Sequence, residues 1–290
     1  MRQSAKIIAN SNLSVAILTK SSLIERDLDI WKEVNQKSGF TLMMSLTFAD
    51  DKFRQIFEPN ASSVDARIET LKKFKSAGIS TGVMAMPFLP FISDSDENII
   101  DLLEKLQDAK IDFIMPGLLT LRQGKQKEFY MNIIKTHFPQ LTAKYQKLYG
   151  NNLQSGSPIF SYGLEMFEKI NKLISSFDML QNVSHSIYKD RFPLYDEIYI
   201  LLNHMKNLYQ KKDITNLRKA SKRYSEWLIN EKTSFNRRRK LRHPFLEHKL
   251  ITLFENGEFE NIIQNAKLYE FLKKVVIHRQ TFDYRKLRLI

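Results

Sequence analysis

The chain has 290 residues, of which 43% are hydrophobic, and its 45 Lys and Arg outnumber 32 Asp and Glu to give a formal net charge of +13. A chain of this length buries about three quarters of its unfolded surface, so one large or two modest domains are expected. It contains no cysteine, which excludes disulfides, Cys-ligated zinc and Cys-ligated iron–sulfur clusters built from its own side chains. No uncharged apolar run approaches the roughly 20 residues of a membrane span, so we expect a cytoplasmic protein without a membrane partner.

Four β-branched or apolar runs in the first half are predicted as buried parallel strands, because helical patterns separate them. These strands are predicted at residues 13–19, 41–47, 80–86 and 111–115. Helices are predicted at 23–37 and 97–109, and another lies between a capping box at Ser62 and Asp65 and a left-handed stop at Gly78. The alternation predicts an α/β fold, either a parallel sheet or a barrel.

After the fourth strand the pattern becomes helical. Helices are predicted at 129–148, where Pro139 breaks the pattern, beyond Pro193, and at 214–230, 245–254 and 259–275. Residues 151–158 are rich in Asn, Ser and Gly, which is typical of a linker. The predicted organisation is therefore a strand-containing domain at 1–150, a linker and helix at 151–182, and a basic, all-helical region at 183–290.

The excess positive charge lies almost entirely in the last part of the chain. Residues 1–180 carry 22 basic and 20 acidic side chains, whereas residues 181–290 carry 23 and 12, a net charge of +11. Such a region attracts phosphate backbones, and nearby Tyr224 and Trp227 could stack on bases. The alternatives are a solvated helix face for the charges and a core position for Trp227. The candidate nucleic-acid-binding residues are Lys222, Arg223, Arg237, Arg238, Arg239, Lys240 and Arg242.

No metal site is predicted from the acidic side chains. Asp94, Asp96 and Glu97 precede or open a predicted helix, where carboxylates accept hydrogen bonds from the free N–H groups of the first turn. The chain contains no P-loop, no His-Glu-x-x-His and no nucleophile elbow, so no catalytic residue is assigned.

A series of short motifs follows the predicted strands in order. The first strand ends in Thr19-Lys20-Ser21, Ser45 lies at the end of the second, and Glu58-Pro59 precedes a helix containing Arg67. The third strand reads Gly-Val-Met-Ala-Met-Pro from residue 82. This order resembles the spore photoproduct lyase-like branch of the radical S-adenosylmethionine (SAM) proteins, over roughly residues 5–150.

The resemblance implies a partial (β/α) TIM-like barrel that contains strands three to six of the usual six. It also implies a [4Fe–4S] cluster, held in that family by a Cys-x-x-x-Cys-x-x-Cys loop that this chain lacks. The chain is therefore predicted to be an N-terminally truncated member. By the same resemblance, Lys20 contacts the SAM carboxylate, Ser45 forms a hydrogen bond with SAM, and Arg67 forms an ion pair with Glu58. Thr47 is added to the SAM site because it lies two residues after Ser45 and faces the same side. The alternatives are a strand-end lysine that points to solvent and small hydroxyls that only terminate a buried strand. Without the cluster, SAM is expected to bind weakly.

Three functional hypotheses follow. The first is a truncated radical SAM protein that does not catalyse alone the family's radical chemistry, such as repair of a DNA photoproduct. The second is one half of a split enzyme, in which a separate chain supplies the missing N-terminal half barrel and pairs with the exposed first strand. The third is a binding module in which the basic helical region recognises nucleic acid and the barrel remnant supports it.

Overall fold

The computed structural model describes residues 2–209, 214–238 and 242–290. The chain divides into two compact units, Met1–Asn182 and Val183–Ile290. Residues 151–182, predicted as a segment separate from the barrel-type domain, belong to the first unit. The helix in this segment contributes the buried side chains of Met166, Ile170 and Ile174 to the core of that unit.

A four-stranded parallel sheet forms the centre of the first unit. Its strands are β1 (Val15–Thr19), β2 (Phe40–Ser45), β3 (Ser80–Phe88) and β4 (Phe113–Leu118), and their spatial order is the order of the sequence. Each predicted strand is present, with bounds that agree or differ by at most three residues. The helices of this unit are α1 (Arg2–Asn10), α2 (Leu28–Lys37), α3 (Asp51–Phe57), α4 (Val64–Ser76), α5 (Asp96–Asp108), α6 (Lys125–His137), α7 (Thr142–Tyr149) and α8 (Phe160–Ser176).

One face of the sheet is buried at the two central strands, β2 and β3. Leu42, Met44 and Val83 are 0% exposed and lie on the same side of β2 and β3, as the two-residue period of a strand requires. Trp31 of α2 packs near this core, where its ring stacks on Phe40 with centroids 4.7 Å apart. Burial of these side chains holds the helices against the sheet.

Local signals set the helix ends, with some differences from the predictions. The predicted helix at 23–37 is a 3₁₀ helix (Ser22–Asp27) followed by α2. The cap of α4 is Ser63, whose hydroxyl accepts a hydrogen bond from Ala66 N at 3.2 Å, and not Ser62. Ser62 instead accepts a hydrogen bond from Ser22 N, which joins the start of α4 to the segment after β1. The helix α3 was not predicted.

The second unit is mainly helical, as predicted. Its helices are α9 (His185–Tyr188), α10 (Leu194–Leu208), α11 (Thr215–Arg238), α12 (Arg242–Glu255), α13 (Phe259–Ile263) and α14 (Ala266–Val276). The prediction that this region contains only helices is wrong in one detail, because β5 (Phe282–Asp283) and β6 (Arg288–Leu289) form an antiparallel pair. Burial of Phe282 and a hydrogen bond from its N–H to His185 Nδ1 hold this pair in place.

The predicted fold class is confirmed. Four parallel strands with helices between them form a partial (β/α) TIM-like barrel, and a helical region follows. Among the described residues, no helix combines the length and the apolar character needed to cross a membrane.

Candidate functional site

Two of the three predicted SAM-contacting residues lie at the carboxyl edge of the parallel sheet. Lys20 follows the last residue of β1, and Ser45 is the last residue of β2. Because the strands are parallel and adjacent, these two residues lie at the same edge, where α/β barrels place their active sites. Thr47 lies two residues beyond the end of β2 and is buried.

A single carboxylate joins two cations at this edge. Glu58 Oε1 forms an ion pair with Lys20 Nζ at 2.6 Å, and Glu58 Oε2 accepts a hydrogen bond from Arg67 Nη2 at 2.6 Å. The predicted ion pair between Arg67 and Glu58 is therefore present. Its extension to Lys20 was not predicted, because residues 20 and 58 are far apart in sequence and no spacing rule connects them.

Arg67 anchors this carboxylate to the backbone of two further segments. Its side chain is 1% exposed, and it donates from Nη1 to the Ser45 carbonyl and from Nε to the Ser62 carbonyl, both at 2.8 Å. A buried guanidinium is stable only when its charge and its N–H donors are all satisfied, and Glu58 supplies the opposite charge here. The end of β2, the start of α4 and the segment after β1 are thus fixed relative to one another.

An open cleft of about 420 Å³ lies beside this ion-pair network. Its lining includes Lys20, whose side chain is 46% exposed, and Glu58, whose side chain is 13% exposed. The other lining residues are Ser21, Phe57, Pro59, Asn60 and Ala61. A cation, polar groups and one aromatic ring therefore border the same opening.

Ser45 contributes to the edge mainly through its backbone. Its hydroxyl lies 3.5 Å from the Met86 carbonyl, the long limit of a hydrogen bond, so its oxygen lone pairs are available as acceptors.

Thr47 contacts a different part of the first unit, at the start of α5. Its carbonyl accepts from Asn98 Nδ2 at 3.1 Å, and Asn98 Oδ1 accepts from Ala49 N at 2.9 Å. No contact among the described residues brings Thr47 to Lys20.

The residue that caps α5 is Ser95 and not one of the predicted acidic side chains, and the described residues contain no group of side chains suited to a metal ion. Ser95 caps α5 by accepting from Asn98 N at 3.2 Å, and Asp96 and Glu97 lie in its first turn. Asp94 is buried and accepts a hydrogen bond from the Tyr162 hydroxyl. Burial raises the pKa of Asp94, although the hydrogen bond from Tyr162 opposes this shift.

The predicted nucleic-acid-binding residues have different surroundings. Lys222 is 79% exposed and lies 3.8 Å from Glu226, and Arg223 donates to the Ile263 carbonyl at 3.3 Å. Tyr224 is fully buried and donates to the Tyr195 carbonyl at 2.7 Å, so its ring is a core element and cannot stack on a base. The side chains of Arg237, Arg238, Arg239, Lys240 and Arg242 lie outside the described residues.

Comparison with known proteins identifies the first part of the chain. Residues 2–103 match the family model of the Radical SAM superfamily. Over these residues the chain is similar to the Radical SAM superfamily. The resemblance predicted from the order of the motifs is confirmed at this level, and the matched residues 2–103, called the radical SAM segment below, contain Lys20, Ser45, Glu58 and Arg67.

Similar proteins from several sources are uncharacterized. A protein of Mycobacterium tuberculosis is 29% identical over 142 residues, which are 49% of this chain and 42% of that protein. A protein of Acidianus two-tailed virus is 31% identical over 121 residues, 41% of this chain and 39% of its own length. The aligned region therefore spans less than half of each relative.

Solved structures of spore photoproduct lyase are also similar to this chain. One variant of that enzyme is 16% identical to this chain, with a TM-score of 0.45. The alignment covers 61% of this chain and 52% of the chain of the variant. A second variant, with bound AdoMet and dinucleoside spore photoproduct, is 18% identical over the same shares with a TM-score of 0.44. These values are too low to transfer the role of any residue to the radical SAM segment.

Proposed function

We propose that the radical SAM segment binds the carboxylate of SAM through Lys20 at the carboxyl edge of the sheet. The observation that carries this proposal is the position of Lys20, directly after β1 and beside an open cleft. Lysine suits this role because its ammonium is a compact charge on a flexible chain. Ser45 lies at the same edge of the sheet, but it is buried, only 7% exposed, and is not one of the residues that line the cleft.

The side chains at this edge fit SAM but not the [4Fe–4S] cluster, the two cofactors expected from the resemblance. The half-exposed Lys20 side chain matches the carboxylate of SAM. A [4Fe–4S] cluster does not fit, because it requires thiolate ligands and none of the 290 residues is a cysteine. A cluster that acts with this site would take its ligands from residues outside this sequence. SAM supplies the methionine and adenosyl groups on which radical SAM chemistry is based.

The proposal is tested by equilibrium dialysis of labelled SAM against the purified chain and the Lys20→Ala variant. The matched control is Lys37→Ala, because Lys37 is 44% exposed and pairs with Glu33 at 2.5 Å, close to the values for Lys20. We expect Lys20→Ala to weaken SAM binding about tenfold, as for loss of a hydrogen bond between charged groups, and Lys37→Ala to leave it unchanged. Equal affinities for all three proteins would contradict the proposal.

The wider activity that we propose is SAM-dependent radical chemistry of the spore photoproduct lyase type, on a DNA substrate. The order of the sequence motifs supports this activity. The 290 residues alone are not expected to catalyse it, since they provide no cluster ligand. Reconstitution with iron and sulfide, reduction with dithionite and assay of 5′-deoxyadenosine formation from SAM should give no product. Product formed by this chain alone would refute the expectation.

A partner that supplies cluster ligands could join the sheet at β1. This strand is at one edge of the sheet in the described part of the chain, and its Leu18 side chain is 51% exposed. An unpaired, apolar strand edge favours addition of another strand. We propose that a strand from outside these residues pairs here. A segment that encodes Cys-x-x-x-Cys-x-x-Cys in the DNA next to this reading frame would support the proposal, and its absence there would count against it.

Nucleic-acid binding by the second unit is a second candidate, favoured by its net charge of +11. We propose that exposed lysines such as Lys222 contact phosphates. The logarithm of the affinity for a DNA duplex should fall linearly with the logarithm of the salt concentration. Lys222→Gln should reduce the steepness of this line by about 1. The control is Lys232→Gln, since Lys232 is already paired with Asp196 at 2.5 Å. Binding without salt dependence would exclude this mode.

A further inference from the structure

Glu58 controls the position of the Lys20 ammonium. Its two carboxylate oxygens are divided between two cations, Lys20 at Oε1 and Arg67 at Oε2. Arg67 cannot follow a moving carboxylate, because two of its other donors are fixed on the Ser45 and Ser62 carbonyls. The Glu58 carboxylate is therefore held from the protein side, and Lys20 is the mobile partner that it holds.

We propose that Glu58 is a positioning residue for the SAM carboxylate, acting through Lys20. This inference rests on the proposed function of Lys20. The side-chain contact recorded for Lys20 among the described residues is its ion pair with Glu58, and an ammonium has three N–H donors with which it can also bind a ligand. Lys20 is one of the residues that line the cleft. Glu58 therefore reduces the number of conformations of the lysine side chain without using all of its hydrogen-bonding capacity.

The charges of the three side chains support this arrangement. Arg67 and Lys20 contribute two positive charges and Glu58 one negative charge, so the group carries a net charge of +1. Arg67 is 1% exposed and Lys20 is 46% exposed, and the charge accessible to a ligand is therefore that of Lys20. A ligand with one carboxylate matches it. Glu58 neutralises the buried guanidinium, which has no access to solvent.

The pair formed by Lys20 and Glu58 differs from an ordinary surface ion pair. In the pair of Lys37 and Glu33, both side chains are exposed, at 44% and 49%, and neither has an anchor in the core. Such pairs order side chains only weakly. Glu58 is 13% exposed and is bound to a buried arginine, so the entropy of ordering the carboxylate is lost during folding and not during ligand binding.

The test compares binding of two ligands by four proteins. The ligands are SAM and decarboxylated SAM, which lacks the group that Lys20 is proposed to bind. The proteins are the wild-type chain, Glu58→Gln, Lys20→Ala and the double variant. We expect Glu58→Gln to weaken SAM binding about fivefold, the cost of ordering one long side chain at binding. Binding of decarboxylated SAM should not change, and Glu58→Gln should have no further effect once Lys20 is alanine.

Each other outcome has a defined meaning. Absence of SAM binding by the wild-type chain would overturn the proposed function and this inference with it. SAM binding that requires Lys20 but is unchanged or tightened in Glu58→Gln would overturn the inference alone. If Glu58→Gln weakens binding of SAM and of decarboxylated SAM equally, the inference is also overturned, because a purely structural role of Glu58 gives that result. If Glu58→Gln fails to fold, Glu58→Asp replaces it, because the shorter side chain keeps the charge for Arg67 and withdraws it from Lys20.

Discussion

The substitution Gly82→Ala tests how closely β3 and β4 are packed. Gly82 is paired in register with Phe113 of the neighbouring strand. A Cβ atom at Gly82 would lie 2.2, 2.3 and 2.7 Å from Phe113 Cζ, Cε2 and Cε1, whereas ordinary contacts are 3.4–4 Å. The Phe113 ring, which is 1% exposed, would have to move by more than 1 Å within a filled core. Overpacking of this kind costs about 3 kcal/mol of the free energy of unfolding.

Thermal unfolding followed by circular dichroism measures this cost. A loss of about 3 kcal/mol in a unit of this size lowers Tm by roughly 6–12 °C. The control is Gly163→Ala in α8, where an added Cβ meets nothing within 4 Å and alanine should stabilise the helix by about 0.5–1 kcal/mol. Replacing Phe113 with Leu should recover part of the loss in Gly82→Ala. An unchanged Tm in Gly82→Ala, or no recovery in the double variant, would refute the packing argument.

Two further predictions concern charged and titratable groups. Burial lowers the pKa of His204 to about 4, and its Nδ1 lies 2.8 Å from the Tyr284 hydroxyl. The unfolded chain takes up a proton near pH 6.5 and the folded chain only near pH 4. The free energy of unfolding should therefore fall by up to about 3 kcal/mol between pH 7 and pH 4 in urea titrations, and His204→Asn should remove most of this fall. Arg67→Ala should cost about 3–5 kcal/mol, because Glu58 loses its buried partner. An Arg67→Ala protein as stable as wild type in the same titrations would show that the network is dispensable.

The strands and the sheet edge could be predicted from sequence because their signals are local. Buried parallel strands are continuous apolar runs; Lys20 follows one such run directly, and Ser45 is the last residue of another. The ion pair of Arg67 and Glu58 was predicted only through the family resemblance. The link from Glu58 to Lys20 depends on how the loop after α3 folds back onto β1, and no periodicity in the sequence carries that information.

Two other cases have equally specific causes. Thr47 was grouped with Ser45 because alternate residues of a strand share a face, but β2 ends at Ser45, so the SAM contact of Thr47 stays a prediction without that support. Tyr224 appeared in a basic segment, yet its helical position places it against Phe259 in the core, with ring centroids 5.7 Å apart. Neighbouring residues of a charged segment point to different sides once the segment forms a helix, so some of them lie in the core and others at the surface.

The contact between Arg67 and Ser45 uses the backbone carbonyl, not the side chain. The side chain at position 45 can therefore be exchanged while the anchor of the network is kept. Because the natural chain has no cysteine, Ser45→Cys would introduce its sole thiol, and alkylating reagents would label this position alone. Position 45 is buried, so the labelling rate would report how often this edge of the sheet opens, and slower labelling with SAM would serve as a direct occupancy assay.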